Sequence, residues 1–216
     1  MDEGLNNKAP HEPRWLVASA VLIAGVLYAT LHARLAIGPQ WLLVAILIAL
    51  IVPSIIAHRT QRYSISNVLG YTTDGLLTVF LLWSVIRLVI SLPGREVPPA
   101  ALLRSAAALW LCNVLLFALW YWRLDAGGPY ARHGRTEHVQ GAFLFPPMTN
   151  DGRKAFHGEW SPHFVDYLFL SFNTSTALSP TDSPVLSRWA KVLVMAQALI
   201  SLTLVVVLAA RAVNLL

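Results

Sequence analysis

The stretch "HFVDYLFLSFNTSTALSPTD", residues 163–182, decides the fold, because it is apolar enough to enter a membrane and too polar to cross one. Its first part, 163–178, includes Asp166, Asn173 and several hydroxyls, which makes it a poor lipid-facing span. We predict that 163–178 forms a re-entrant helix, which enters the membrane and returns on the same side. The turn 179–182 that follows consists of polar residues and a proline.

The rest of the chain is dominated by long apolar runs. Of its 216 residues, 56% are hydrophobic and only 12% are charged, and the mean hydropathy is +0.57. A soluble domain of this size could not bury so much apolar surface. Five runs are long enough to cross about 30 Å of hydrocarbon, at 15–36, 39–57, 68–92, 99–122 and 189–210. The predicted fold class is an all-α polytopic membrane protein with five transmembrane helices plus the re-entrant helix.

Turn residues between these runs divide the chain into three parts. A polar tail without a small-residue cleavage pattern comes first, so no cleaved signal peptide is predicted. The parts are 1–14, a three-helix membrane region at 15–98 and a module at 99–216, which comprises a helix, a loop at 124–162, the re-entrant helix, the turn and a final helix at 189–214. Glycines and prolines recur through the loop, which predicts a folded cap rather than a free linker.

Polar groups at the end of the re-entrant helix favour a site for cations. The carbonyls that end a helix carry partial negative charge, and inside a membrane only protein groups, water or cations can satisfy them. Copies around an axis would form a ring of hydroxyls, carbonyls and carboxylates from Thr174, Thr176, Ser179, Pro180, Thr181 and Asp182. The alternative is a buried helix in which the hydroxyls of Thr174, Ser175 and Thr176 bond to carbonyls one turn back.

Residues 174–182, "TSTALSPTD", resemble the pore signature of the tetrameric potassium-channel superfamily, T-x-T-x-x-G-Y-G-D, with the same spacing and no gap. The preceding "FLSFNT" is similar to the pore helix of that family, and the following "RWAK" to the start of its inner helix. The region 105–216, with "LWYWRLDAGGPY" and "GAFLFPP", also resembles a family of bacterial membrane proteins defined as a domain of unknown function (number 1345). These resemblances imply a channel-like pore module, a homotetramer, monovalent cations as partners and the bacterial inner membrane as location.

The filter-like turn departs from the channel pattern at its centre. Ser179, Pro180 and Thr181 stand where the family has glycine, tyrosine and glycine. Proline fixes its own φ near −65°, and a β-branched threonine is strained at positive φ, so a stack of carbonyl rings is not predicted. We predict a wider, hydrated and weakly selective cation pore, in which the Asp182 carboxylates favour cations. A non-conducting membrane scaffold or accessory protein that keeps the channel-like hairpin is the alternative.

The final helix and the third helix add further predictions. Gln197, Ser201 and Leu204 share one face of the final helix and are predicted to line the pore, with helix packing as the alternative. No span carries arginines at every third position, and Arg87 stands alone in the third helix, so voltage gating is not predicted. Asp74 in the same helix is a costly charge. We expect it to pair with a basic group or to line a water pocket.

Several function classes find no support in the sequence. His32 and His58 stand at span ends without a motif-placed partner and no phosphate loop is present, so neither an enzyme nor a cofactor is predicted. The loop contains six side chains that could bind a metal, but their spacing matches no compact ligand motif. They are His133, Glu137, His138, His157, Glu159 and His163. The net charge of +5 comes from basic residues near helix ends, where lipid phosphates lie, so the partner is the bilayer and not nucleic acid.

The orientation predicted from the resemblance conflicts with the charge pattern. A channel-like hairpin places the loop at 124–162 outside the cell. On that side of the membrane there are eleven basic residues, against five on the other. The eleven are Lys8, Arg14, Arg59, Arg62, Arg123, Arg132, Arg135, Arg153, Lys154, Arg188 and Lys191; the five are Arg34, Arg87, Arg95, Arg104 and Arg211. Such a bias predicts a cytoplasmic loop, but the gapless spacing is more specific, and we keep the channel-like orientation.

Overall fold

A computed structural model describes residues 15–94, 97–133, 141–149, 160–176 and 183–213. The helices are α1 (Trp15–Ala29), α2 (Leu42–Arg59), α3 (Tyr63–Ile90), α4 (Pro99–Leu124), α5 (Pro129–His133), α6 (Phe164–Thr176) and α7 (Arg188–Val213). The described residues contain no β-strand, but Phe143 and Val185 form one isolated antiparallel bridge. The predicted all-α class is confirmed. Four helices, α2, α3, α4 and α7, are long and apolar enough to cross a membrane, as expected of a multi-pass membrane protein.

The first predicted span, 15–36, is longer than the helix found there. α1 ends at Ala29 and has 15 residues, which gives it a length of about 22 Å at 1.5 Å per residue. The chain then turns, and the apolar residues Leu31 and Leu35 are buried in the turn instead of continuing the helix. The predicted span is too long because apolar residues buried in a turn look the same in the sequence as apolar residues of a helix.

Helix α4 is the centre of the structure. It packs against α1 and α3 on one side and against α6 and α7 on the other. Its buried leucines, among them Leu102, Leu109 and Leu116, form part of a continuous apolar core. α1, α3 and the C-terminal helices therefore all pack on α4, while α2 packs on α1 and α3.

The end of α4 reverses the chain sharply. Ala126, Gly127 and Gly128 all have positive φ, and a β-carbon on Gly128 would lie 2.8 Å from the backbone oxygen of Arg123. The guanidinium of Arg132 donates from Nη1 to the carbonyls of Trp122 and Asp125, at 2.8 Å each. These bonds satisfy carbonyls that a helix end leaves without partners. The turn directs the following residues back over the bundle.

Candidate functional site

Helix α6 packs against α4 and α7, which also pack against each other, and it has two different faces. The face towards the protein is buried and carries Phe164, Tyr167, Leu170, Ser171 and Ser175, at spacings of three and four residues. This face changes from aromatic and aliphatic side chains at its start to hydroxyls at its end. The opposite face leaves the large apolar side chains of Val165, Phe169 and Phe172 exposed.

Thr174 and Thr176 are the two predicted filter residues that the structure describes. The Thr174 hydroxyl donates to the Leu170 carbonyl at 2.9 Å, and the Thr176 hydroxyl donates to the Phe172 carbonyl, also at 2.9 Å. Both bonds reach one turn back along α6, as the alternative of a buried helix predicts. Ser179, Pro180, Thr181 and Asp182 lie outside the described residues, so the predicted ring of polar groups stays a prediction.

The three side chains predicted to line the pore are buried within the single chain. Gln197, Ser201 and Leu204 have exposed fractions of 0%, 2% and 0%, on the face of α7 that packs towards α4 and α6. The Nε2 atom of Gln197 lies 2.7 Å from Ser171 Oγ and 2.8 Å from Ser175 Oγ. The Ser201 hydroxyl donates to the Ser175 carbonyl at 2.7 Å. In one chain these polar groups therefore connect α7 to α6.

Three side chains of α4 extend this network, which we call the inner polar cluster. Tyr121 donates its hydroxyl proton to Gln197 Oε1 at 2.5 Å, and Trp110 donates from Nε1 to Ser201 Oγ at 2.9 Å. Asn113 donates from Nδ2 to the Gln197 carbonyl at 3.4 Å, while its Oδ1 is buried without a partner in the described structure. The cluster comprises Trp110, Asn113, Tyr121, Ser171, Ser175, Gln197 and Ser201. The sequence contained a signal for it, because Asn113 and Tyr121 are eight residues apart on one helix face.

A short extended segment, residues 141–145, crosses the end of the bundle where α4 ends and α6 and α7 begin, and we call it the strap. It pairs with the segment that precedes α7: the Leu144 amide donates to the Pro184 carbonyl at 3.0 Å, and the Leu186 amide to the Ala142 carbonyl at 2.8 Å. The Phe143 ring is 1% exposed and lies among the rings of Tyr121, Tyr167 and Trp189, with centroid distances of 5.1, 6.3 and 6.4 Å. The strap belongs to the loop at 124–162, of which the structure also describes 124–133, 146–149 and 160–162.

Asp125 holds the strap against the helices. Its carboxylate is 1% exposed and accepts two hydrogen bonds, from the Ala142 amide at 2.5 Å and from the Tyr167 hydroxyl at 2.6 Å. A β-carbon on Gly141 would lie 2.5 Å from Asp125 Oδ1, so a glycine is needed for this close approach. Asp125 thereby joins the end of α4, the strap and α6.

We expect Asp125→Asn to destabilise the protein by about 1–3 kcal/mol, because an asparagine offers one acceptor oxygen to two donors and leaves one of them unsatisfied. The measurement is the free energy of unfolding of detergent-solubilised protein titrated with a denaturing detergent. In a Tyr167→Phe background one donor is already gone, and the same substitution should cost less. Equal costs in the two backgrounds would show that the Tyr167 bond contributes nothing.

A second buried polar contact joins α3 to α4. Arg123 Nε lies 2.5 Å from Asp74 Oδ2, and the Asp74 side chain is fully buried. Gly70 makes room for the guanidinium, since a β-carbon there would overlap Arg123 Nη1. The expectation that Asp74 pairs with a basic group is confirmed. Its other oxygen, Oδ1, is buried without a partner among the residues that the structure describes.

No described group of three histidine, cysteine, aspartate or glutamate side chains is placed to hold a metal ion, and Glu137, His138, His157 and Glu159 lie outside the described ranges. Comparison of the chain with protein-family models, curated proteins and solved structures finds no match. Its function is therefore inferred from its residues and their geometry.

Proposed function

We propose that the chain is an ion-channel-like membrane protein, in which α4, α6 and α7 form the outer helix, the re-entrant pore helix and the inner helix of a pore module. The observation that carries this proposal is the length and placement of α6. The 13 residues Phe164–Thr176 span about 20 Å, against about 30 Å for a bilayer core, and residues 177–182 that follow lie outside the described ranges. Tyr167 in the first turn of α6 packs against Phe143 of the strap, and Ser175 near its other end belongs to the inner polar cluster, where α6 packs against two long apolar helices.

In this proposal α2, α3, α4 and α7 span the membrane, and the segment 15–36, which comprises α1 and the buried turn after it, is the fifth span. Four copies surround a common axis in a bacterial inner membrane. The turn after α6, with Ser179, Pro180, Thr181 and Asp182, forms a weakly selective constriction for monovalent cations. Arg87 is the single arginine in the interior of α3, so the module is not voltage-gated. Gln197, Ser201 and Leu204 pack α7 against its neighbours and do not line the pathway.

A non-conducting scaffold is the second candidate, and the end of α6 favours it. The Ser175 carbonyl accepts from Ser201, and the threonine hydroxyls of the last turn donate to carbonyls of their own helix. Carbonyls that are already satisfied by protein donors attract cations less strongly. These hydrogen bonds make cation binding at α6 itself less favourable. They do not bear on the turn at 179–182.

Flux of potassium and sodium into proteoliposomes separates the two candidates. As a pore, the protein should pass both ions with little discrimination, and Asp182→Asn or Thr176→Val should reduce that flux several-fold. Thr203→Val is the matched control, because Thr203 is exposed on α7 and, like Thr176, donates to a carbonyl of its own helix. Flux no higher than in protein-free liposomes would overturn the pore and leave the scaffold. Flux that Asp182→Asn and Thr176→Val leave unaltered would place the pathway elsewhere.

A further inference from the structure

The last turn of α6 is held by side chains of α7. An α-helix leaves its last four carbonyls without intrahelical partners, and an unsatisfied carbonyl in hydrocarbon costs several kcal/mol. Ser175 is the second-last residue of α6 in the range that the structure describes. Ser201 donates to its carbonyl from the neighbouring helix. The end of α6 is thus stabilised by a specific residue of α7.

Gln197 makes the larger contribution to this contact. Its Nε2 lies within hydrogen-bonding distance of three oxygens of α6: the Ser171 carbonyl at 2.9 Å, the Ser171 hydroxyl at 2.7 Å and the Ser175 hydroxyl at 2.8 Å. Its Oε1 accepts from Tyr121 of α4. The side chain is fully buried, so water does not compete for these bonds. One amide therefore links the two last turns of α6 to both long helices beside it.

Hydrogen bonds of this kind fix a register in a way that apolar contacts do not. Gln197 and Ser201 are four residues apart on α7, and their partners Ser171 and Ser175 are four residues apart on α6. The two helices are thus matched at two successive turns. A shift of α7 along α6 by one residue would remove both donors from their acceptors.

We propose that Gln197 is a positioning residue, which fixes residues 171–176 of α6 to α7, so that a displacement of α7 also displaces this end of α6. The importance of that displacement for conduction rests on the proposed function. The attachment itself does not, and it is measured without any flux.

The test uses a spin label at position 176, attached to the thiol that Thr176→Cys introduces in a Cys112→Ala background, since Thr176 is exposed and Cys112 is the single native cysteine. Protein in lipid nanodiscs is compared with and without Gln197→Met, which keeps the length of the side chain and removes its amide. The label should become several-fold more mobile in the Gln197→Met protein. Thr203→Val, which changes a hydroxyl on the exposed face of α7, should leave its mobility unaltered.

Unchanged mobility in a folded Gln197→Met protein would overturn the inference. If that variant does not fold, Ser201→Ala takes its place, because it removes the side-chain donor to the Ser175 carbonyl and should loosen the label in the same direction. A label that responds in a protein without flux would leave the attachment standing and overturn the pore. Flux in a protein whose label does not respond would leave the pore standing and overturn the attachment.

Discussion

Replacing Arg123 with leucine is expected to destabilise the protein by about 3–5 kcal/mol, because Asp74 would become a buried carboxylate without a positive charge beside it. Asp74 is fully buried, and the Arg123 side chain is 9% exposed. Inside a membrane protein such a charge finds little water to replace its partner. The measurement is the free energy of unfolding in mixed detergent.

The double variant Arg123→Leu/Asp74→Leu should recover most of that loss, since it removes both charges and leaves apolar side chains between α3 and α4. Arg87→Leu is the control for loss of an arginine as such, because Arg87 is partly exposed and donates to the Arg34 carbonyl near the end of α3. A double variant as unstable as Arg123→Leu alone would mean that packing, and not charge, explains the loss.

The same contact can be broken without changing a charge. Gly70→Ala places a β-carbon where Arg123 Nη1 lies and should force the guanidinium out of its position. Gly75→Ala is the matched control on the same helix, because a β-carbon there meets no atom within 4 Å. Alanine is favoured over glycine in a helix by about 1 kcal/mol, so the control should be neutral or slightly more stable. Equal effects at the two glycines would contradict the role of Gly70.

Replacing Phe143 with alanine is expected to cost about 3–5 kcal/mol, the usual loss when a buried phenylalanine is truncated. The ring is 1% exposed and packs edge to face on Tyr121, Tyr167 and Trp189, which belong to α4, α6 and α7. Its removal leaves a cavity where these three helices and the strap meet. The loss is measured as the change in the free energy of unfolding.

Phe169→Ala is the control for this substitution. Phe169 lies on the outer face of α6 with an exposed fraction of 59%, so its truncation removes less buried surface. A loss at Phe169 as large as at Phe143 would mean that the outer face of α6 is covered in the assembled protein. A small loss at Phe143 would show that the strap does not contribute to the stability of the end of the bundle that it crosses.

Much of the helical architecture follows from local patterns. The predicted run at 99–122 and the helix Pro99–Leu124 begin at the same residue, because proline is favoured in the first turn of a helix. The short helix predicted at 163–178 is found at Phe164–Thr176. The clearest error is the end of α1, where Leu31 and Leu35 are apolar because a turn buries them.

The contacts of the polar residues could not be predicted in the same way. Arg123 stands next to a polar loop in the sequence, and its partner Asp74 stands 49 positions earlier in the chain. Tryptophan and tyrosine are enriched where a membrane meets water, but Trp110 and Tyr121 both donate hydrogen bonds to side chains of α7. Side-chain chemistry indicates that a buried polar group needs a partner and leaves open which residue supplies it.

The sequence by itself determined the helical class, the positions of the four long apolar helices and the short polar helix before the last of them, since these depend on residues that are neighbours in the chain. Only the tertiary structure decided that Gln197 and Ser201 face α6, that Arg123 pairs with Asp74 and that Phe143 packs between α4, α6 and α7. The physical reason is that a hydrogen bond or an ion pair is set by distances between side chains of different helices, which packing around α4 fixes.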